Sequence, residues 1–149
     1  MIPAIFTATA GGSGLVVDAS VAVKWVVEEE FSGAARQLAG ATLYAPDLLY
    51  IECANILWKK TTKGDLSRSQ AAQALKDLQT SPVLVVAAGP FLEKALAMAE
   101  VLRHPVYDCV YLALAAEKKM PLVTADERLA RVAANQKLPH VVVTSLGRM

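Results

Sequence analysis

Four carboxylates in this 149-residue chain stand where a carboxylate is hard to explain as surface decoration. Asp18 directly follows the apolar run Leu15-Val16-Val17, and Asp126 lies two residues beyond Thr124, at the end of Leu122-Val123-Thr124. Glu52 falls at helical spacing with Leu48, Leu49 and Ile56, and Asp108 with Tyr111, Leu112 and Ala115. Residues three or four apart stack on one side of a helix, so both side chains lean toward the core. Withdrawing a carboxylate from water is costly unless something compensates. A helix start returns only ~0.3–1 kcal/mol to Asp108. No local basic partner is evident beside either helical acid: Lys59 and Lys60 miss the i+3 and i+4 positions from Glu52.

Taken singly, such an acid reads as a helix cap, a partner for a distant arginine, or a hydrogen-bonded structural group. Four together are different, because their repulsion raises each pKa unless cations are bound. An all-oxygen ligand set selects hard ions, Mg²⁺ or Mn²⁺ rather than zinc. Carboxylate clusters of this kind serve phosphoryl chemistry, through one ion that activates water or a pair that clamps the attacking and leaving oxygens.

The elements that must position these groups follow from the hydropathy pattern. Short β-branched runs at 15–17, 42–44, 83–86, 122–124 and 141–143 alternate with helical segments. The helices are expected at Ser20–Val27, Phe31–Leu38, Asp47–Lys60, Ser67–Leu78, Phe91–Leu102, from Pro105 onward, and at Glu127–Ala134. Pro46 suits the first turn of its helix, Gly64 ends that helix, and Ser67 with Gln70 forms a capping box. Continuous apolar strands between helices predict an α/β domain with a parallel sheet covered on both faces. In such sheets sites form beyond the carboxyl ends of the strands, where Asp18 and Asp126 stand. Residues 1–14, ending in Gly11-Gly12-Ser13-Gly14, read as a leader or added segment outside the fold, and 15–149 as a single domain.

Composition narrows the class further. Hydrophobic residues make up 54% and charged residues 19%, which excludes a disordered chain and supports one core. Fifteen Lys and Arg against 14 Asp and Glu leave a net charge of +1, so total charge argues for no general affinity for nucleic acid or membrane. Cys53 and Cys109 lack CxxC spacing and read as small buried apolar side chains in a reduced, cytoplasmic chain. No stretch has the length and apolar character of a membrane span.

Four blocks, in order, carry a family resemblance: Val17-Asp18-Ala19-Ser20, Glu52-Cys53-Ala54-Asn55, Tyr107-Asp108-Cys109-Val110-Tyr111-Leu112-Ala113-Leu114-Ala115, and Thr124-Ala125-Asp126-Glu127-Arg128-Leu129. Together they resemble a PIN-domain ribonuclease of the VapC toxin type, over nearly everything from Leu15 to about Leu146. The resemblance implies a three-layer α/β/α sandwich, a Mg²⁺- or Mn²⁺-dependent endoribonuclease, a VapB-type antitoxin as partner and a homodimer. It implies that Asp18, Glu52, Asp108 and Asp126 are the catalytic, metal-binding acids. Asp18 and Asp108 would hold the principal ion, Glu52 would orient or deprotonate the water, and Asp126 would support a second ion or bind through water. Ser20 and Thr124 match the small hydroxyl residues beside those acids, and Asn55 a polar position one turn after the glutamate.

The basic cluster Lys59, Lys60, Lys63 and Arg68 is a candidate contact for RNA phosphates, or a solvated helix end. His104 and His140, each beside a proline, are read as structural or solvent-facing. Trp25 and Trp58 are read as core or subunit-contact residues. Three other functions compete: a non-catalytic PIN-like interaction module, a phosphohydrolase with Asp18 as nucleophile, and a nuclease acting on structured DNA. The phosphohydrolase is disfavoured because Ser20, not an acid, stands two residues after Asp18.

Overall fold

The computed structural model of the protein describes residues 14–136 and 143–148. Five strands form one parallel sheet: β1 (Gly14–Val17), β2 (Thr42–Pro46), β3 (Val83–Val86), β4 (Leu122–Thr124) and β5 (Val143–Ser145), in the spatial order β3-β2-β1-β4-β5. Among the described residues seven α-helices accompany it: α1 (Ala19–Val26), α2 (Ser32–Gln37), α3 (Leu48–Thr62), α4 (Arg68–Gln79), α5 (Leu92–Leu102), α6 (Val106–Lys118) and α7 (Glu127–Gln136). This is the expected three-layer α/β/α sandwich. The central strand β1 is buried along its whole length, whereas the edge strands β3 and β5 are partly exposed. That gradient follows position in the sheet rather than composition, since the wholly apolar β3 run is an edge strand and stays partly exposed.

The order of strands decides where a site forms. The chain builds outward from β1 through β2 to β3, then returns to the other side of β1 for β4 and β5. A crevice therefore opens between the carboxyl ends of β1 and β4, which pair through Val16 with Leu122 and Val17 with Val123. Asp18 and Asp126 leave the sheet on either side of that crevice.

Most local readings hold. Gly64 follows α3 with φ 81°, a left-handed conformation that glycine adopts without a Cβ clash. Ser67 accepts from the Gln70 N–H, and the Gln70 side chain accepts from the Ser67 N–H, completing the capping box. Two readings need correction. Pro46 closes β2 instead of opening α3; it lies past Tyr44, the last residue of β2 that pairs with β1, so its missing N–H forfeits no bond to that strand. Gly14 belongs to β1 opposite Thr42, not to a flexible joint. A Cβ there would lie 2.9 Å from the Thr42 carbonyl oxygen, so the close approach of the two backbones requires glycine. The rest of the expected leader, residues 1–13, lies outside the described residues, as do 141 and 142 of the expected last strand.

The core runs from β1 through α6, where Cys109 to Ala115 are all buried. A second, smaller cluster of Val23, Leu57 and Ala74 joins α1, α3 and α4. Helix α6 thus packs deep against β1 and β2, and its first turn borders the crevice.

Candidate active site

The four acids reach one place from four different elements. Asp18, Ser20, Glu52, Asn55, Lys59, Asp108 and Asp126 line a single open cleft of ≈ 590 Å³, with Leu48, Ile51 and Tyr107 on its walls. Asp18 lies between β1 and α1, Glu52 and Asn55 are on α3, Asp108 is in the first turn of α6, and Asp126 precedes α7.

Asp18 is the most enclosed of them. As N-cap of α1, its Oδ1 accepts from the Val21 N–H at 3.2 Å and from the Ser20 hydroxyl at 2.5 Å. Its Oδ2 accepts from the Thr124 hydroxyl at 2.5 Å. Ser20 Oγ also accepts from the Ala125 N–H, and Thr124 Oγ1 from the Asp126 N–H, at 2.9 and 3.0 Å. Each hydroxyl has one hydrogen, and Asp18 takes both. The Ser20–Thr124 approach of 3.3 Å is therefore a contact between two oxygens already committed elsewhere. This lattice ties the end of β1 to the end of β4.

Asp126 caps α7: its Oδ1 accepts from the N–H groups of Arg128 and Leu129 at 2.9 and 3.3 Å. Glu52 Oε1 accepts from the Tyr111 hydroxyl at 2.6 Å. Asp108 Oδ2 lies 2.5 Å from His104 Nε2. Among the described residues, the second oxygens of Asp126, Glu52 and Asp108 carry no hydrogen bond. A carboxylate accepts about four hydrogen bonds, so Asp18 also keeps acceptor capacity.

The electrostatics show the stress of this grouping. Burial pushes the Asp18 carboxyl up to about 6 against its three hydrogen bonds, and the Asp108 charge adds to the rise. Burial and then Asp108 likewise raise Glu52, opposed by the Tyr111 hydroxyl. Tyr111 is raised by its own burial and by the Glu52 charge, so it stays a donor. A bound cation would relieve all of these interactions at once.

The donor set suits a hard divalent ion, being carboxylate oxygen throughout. Among the described residues, no three His, Cys, Asp or Glu side chains stand close enough to enclose an ion by themselves. Mg²⁺ does not require that, since it keeps several waters and takes one or two carboxylates directly. The cleft fits an ion held in this partly hydrated way.

The family of PIN domains matches residues 15–135. Over 134 residues, 86% of this chain and 97% of the relative, the sequence is 37% identical to Ribonuclease VapC3 of Pyrobaculum aerophilum. The chain belongs to the VapC family of PIN-domain ribonucleases. Two solved structures share the fold of this VapC family member. PAE2754 from Pyrobaculum aerophilum superposes with a TM-score of 0.64 at 24% identity, covering 87% of this chain and 90% of its own. VapBC2 from Rickettsia felis, solved bound to a DNA fragment from its promoter, superposes with a TM-score of 0.58 at 12% identity, covering 88% and 97%.

Within this VapC fold the remaining sequence candidates separate. Lys59 lines the acid cleft, but Lys60 is held 2.5 Å from Glu29, which also binds Lys24 at 2.9 Å. Arg68 faces a different groove, between α3 and α4, together with Trp58. Trp58 is exposed and so is no core residue, whereas Trp25 joins α1 to α2 by donating to the Ala35 carbonyl. Cys53 and Cys109 are free and buried, and burial pushes their thiols up to about 12 and about 11, so neither offers a thiolate. His140 lies outside the described residues.

Two functional neighbours escaped the sequence reading. Of the structural and solvent-facing alternatives for His104, burial leaves the structural one, and its ring is a local partner for Asp108. Tyr111, an apolar neighbour of Asp108 by spacing, also holds Glu52 through its hydroxyl. His104 stands four residues before Asp108, one helical turn, and that spacing was the available signal.

Proposed function

We propose that this VapC family member is a divalent-metal-dependent endoribonuclease that hydrolyses RNA phosphodiester bonds at the acid cleft. Asp18 and Asp108 would hold the principal ion, Mg²⁺ or Mn²⁺. When bound, that ion supplies positive charge that acidifies water and stabilises the leaving 3′ oxygen. The chain's own groups do the rest. Glu52, with one free oxygen and a raised pKa, orients the attacking water and takes its proton. Asp126 binds through water or supports a second ion, while Ser20 and Thr124 hold the Asp18 carboxylate in place. On the α3 face, Asn55, one turn past Glu52, supports the acids, and Lys59, two turns past it, contacts the RNA backbone. Of the other cations considered, Lys63 and Arg68 lie farther along, and Lys60 is committed to Glu29.

The observation that carries this reading is the meeting of Asp18, Glu52, Asp108 and Asp126 in one cleft, where burial works against the ionised form of Asp18 and a bound cation would favour it. The VapBC2 neighbour and the VapC3 relative support a VapB-type antitoxin as partner; a homodimer and a cytoplasmic setting rest on the family resemblance alone. Among the described residues no helix is long and apolar enough to cross a membrane.

The test is cleavage of matched RNA and DNA oligonucleotides with Mg²⁺, Mn²⁺ or chelator, comparing the native chain with Asp108→Asn. Metal-dependent RNA cleavage, lost in the variant, is the expected result. Cleavage that survives chelation or the substitution would overturn the assignment, and preference for DNA would replace the substrate.

A further inference from the structure

His104 occupies the short link between α5 and α6, yet it is only 6% exposed. The backbone delivers it inward. Arg103 ends α5 in the left-handed region at φ 53°, and Pro105, with φ −53°, leads directly into α6. The His104 N–H donates to the Ala99 carbonyl, and its own carbonyl accepts from the Cys109 thiol. The imidazole then has two nitrogens to place. Nε2 lies 2.5 Å from Asp108 Oδ2, while Nδ1 is buried without a partner among the described residues.

Those two facts select the tautomer. A hydrogen on Nδ1 would strand a buried donor and turn the Nε2 lone pair toward a carboxylate oxygen. A hydrogen on Nε2 gives that oxygen a donor and leaves unpaired only an acceptor nitrogen.

We propose that His104 is a positioning residue for the ion site: its Nε2–H holds Asp108 Oδ2, which leaves Oδ1 as the oxygen available to the cleft. This rests on the reading of Asp108 as a metal ligand. A purely structural role explains the arrangement less well. The first turn of α6 already favours an acid through its unpaired N–H groups, with no need of a buried ring. Asp108 itself is only half-buried, so without a partner its carboxylate would turn among solvated rotamers. A donor fixed in the core removes that freedom, as outer hydrogen bonds do for ligating carboxylates. Tyr111 performs the same task for Glu52 from the next turn of the helix.

The experiment compares the native chain with Asp108→Asn, His104→Leu and His104→Gln. Mn²⁺ binding is followed by electron paramagnetic resonance, RNA cleavage is titrated with Mg²⁺, and thermal melts are recorded without metal. His104→Leu keeps approximate volume and loses the donor; it should weaken Mn²⁺ binding by ~10–100-fold and move the Mg²⁺ titration by the same factor. The KM for RNA should stay nearly constant. In His104→Gln the amide nitrogen reaches where Nε2 stood, and most of the Mn²⁺ affinity should return. Native Mn²⁺ affinity in a folded His104→Leu would overturn the proposal while leaving the metal reading intact. So would a folded His104→Gln as weak as expected for leucine, or the failure of both variants to fold, which would make the ring a folding element. If the native chain binds no Mn²⁺, or Asp108→Asn binds it equally well, the metal reading falls and this proposal with it.

Discussion

Asp18 and Asp126 leave the ends of two paired strands, whereas Glu52 and Asp108 project from helices that the sheet only supports. The strand half is a closed lattice: Asp18 has hydrogen bonds on both oxygens, and the two hydroxyls that serve it also receive N–H groups from beyond β4. The helix half is sparse. Glu52 and Asp108 have one side-chain partner each, Tyr111 and His104, and are only half-buried. Asp18 is thus buried and held on both oxygens, while Glu52 and Asp108, like Asp126 at the rim, are half-buried and each keep one oxygen free among the described residues. A ligand that needs a fixed anchor and exchangeable waters finds both here.

The sharpest way to break this contrast is Asp18→Asn. Burial holds the Asp18 carboxyl near 6 in the fold against 3.8 in the unfolded chain, so the metal-free fold binds more protons than the unfolded state between those values. Stability should therefore be greatest below about pH 4 as far as this group is concerned, fall as pH rises to about 6, and then level off. The loss amounts to about 3 kcal/mol at pH 7. Asparagine, also a good N-cap, should remove most of that slope and raise the metal-free melting temperature at pH 7. It should also lower RNA cleavage by on the order of 10²–10³-fold. A melt whose pH dependence is unchanged in the variant would show that Asp18 is not the strained group.

Next in size is the contrast between braces. Thr124→Val should destabilise the fold by about 2 kcal/mol, because Asp18 loses a donor and the Asp126 N–H loses its acceptor inside a fully buried corner. Tyr111→Phe should cost less, about 1 kcal/mol, since water can reach the Glu52 carboxylate, yet it should still lower the cleavage rate. Equal losses in urea unfolding would erase the distinction between the halves. The smallest effect is expected at Lys59. Lys59→Gln should raise KM for RNA and flatten its salt dependence with little change in kcat, because the side chain lies on the cleft wall and outside the acid lattice.

Much of the architecture was legible in advance. Continuous apolar runs identified the strands, and the capping box and Gly64 marked helix limits, because these depend on side chains a few residues apart. Gly14 was misread because its requirement comes from Thr42, a partner far along the chain. Pro46 was misread because its tolerance depends on how far β1 extends beside it. The basic cluster looked uniform in sequence, but a contact with Glu29 took Lys60 out of it. A proline neighbour says nothing about the burial of His104, which follows a left-handed turn at Arg103 and lies in the packed link between α5 and α6.

The linear order of residues determined which acids could act and which kind of ion would suit them, since oxygen donors and their helical or strand-end placement are properties of residue type and local spacing. It determined the alternation of strand and helix for the same reason. Only tertiary structure decided that β4 returns beside β1, and so that four acids spread over more than a hundred residues share one cleft. It also decided which neighbours hold them. Hydrogen bonds between distant segments depend on distances of a few ångströms, and the packed core alone sets those.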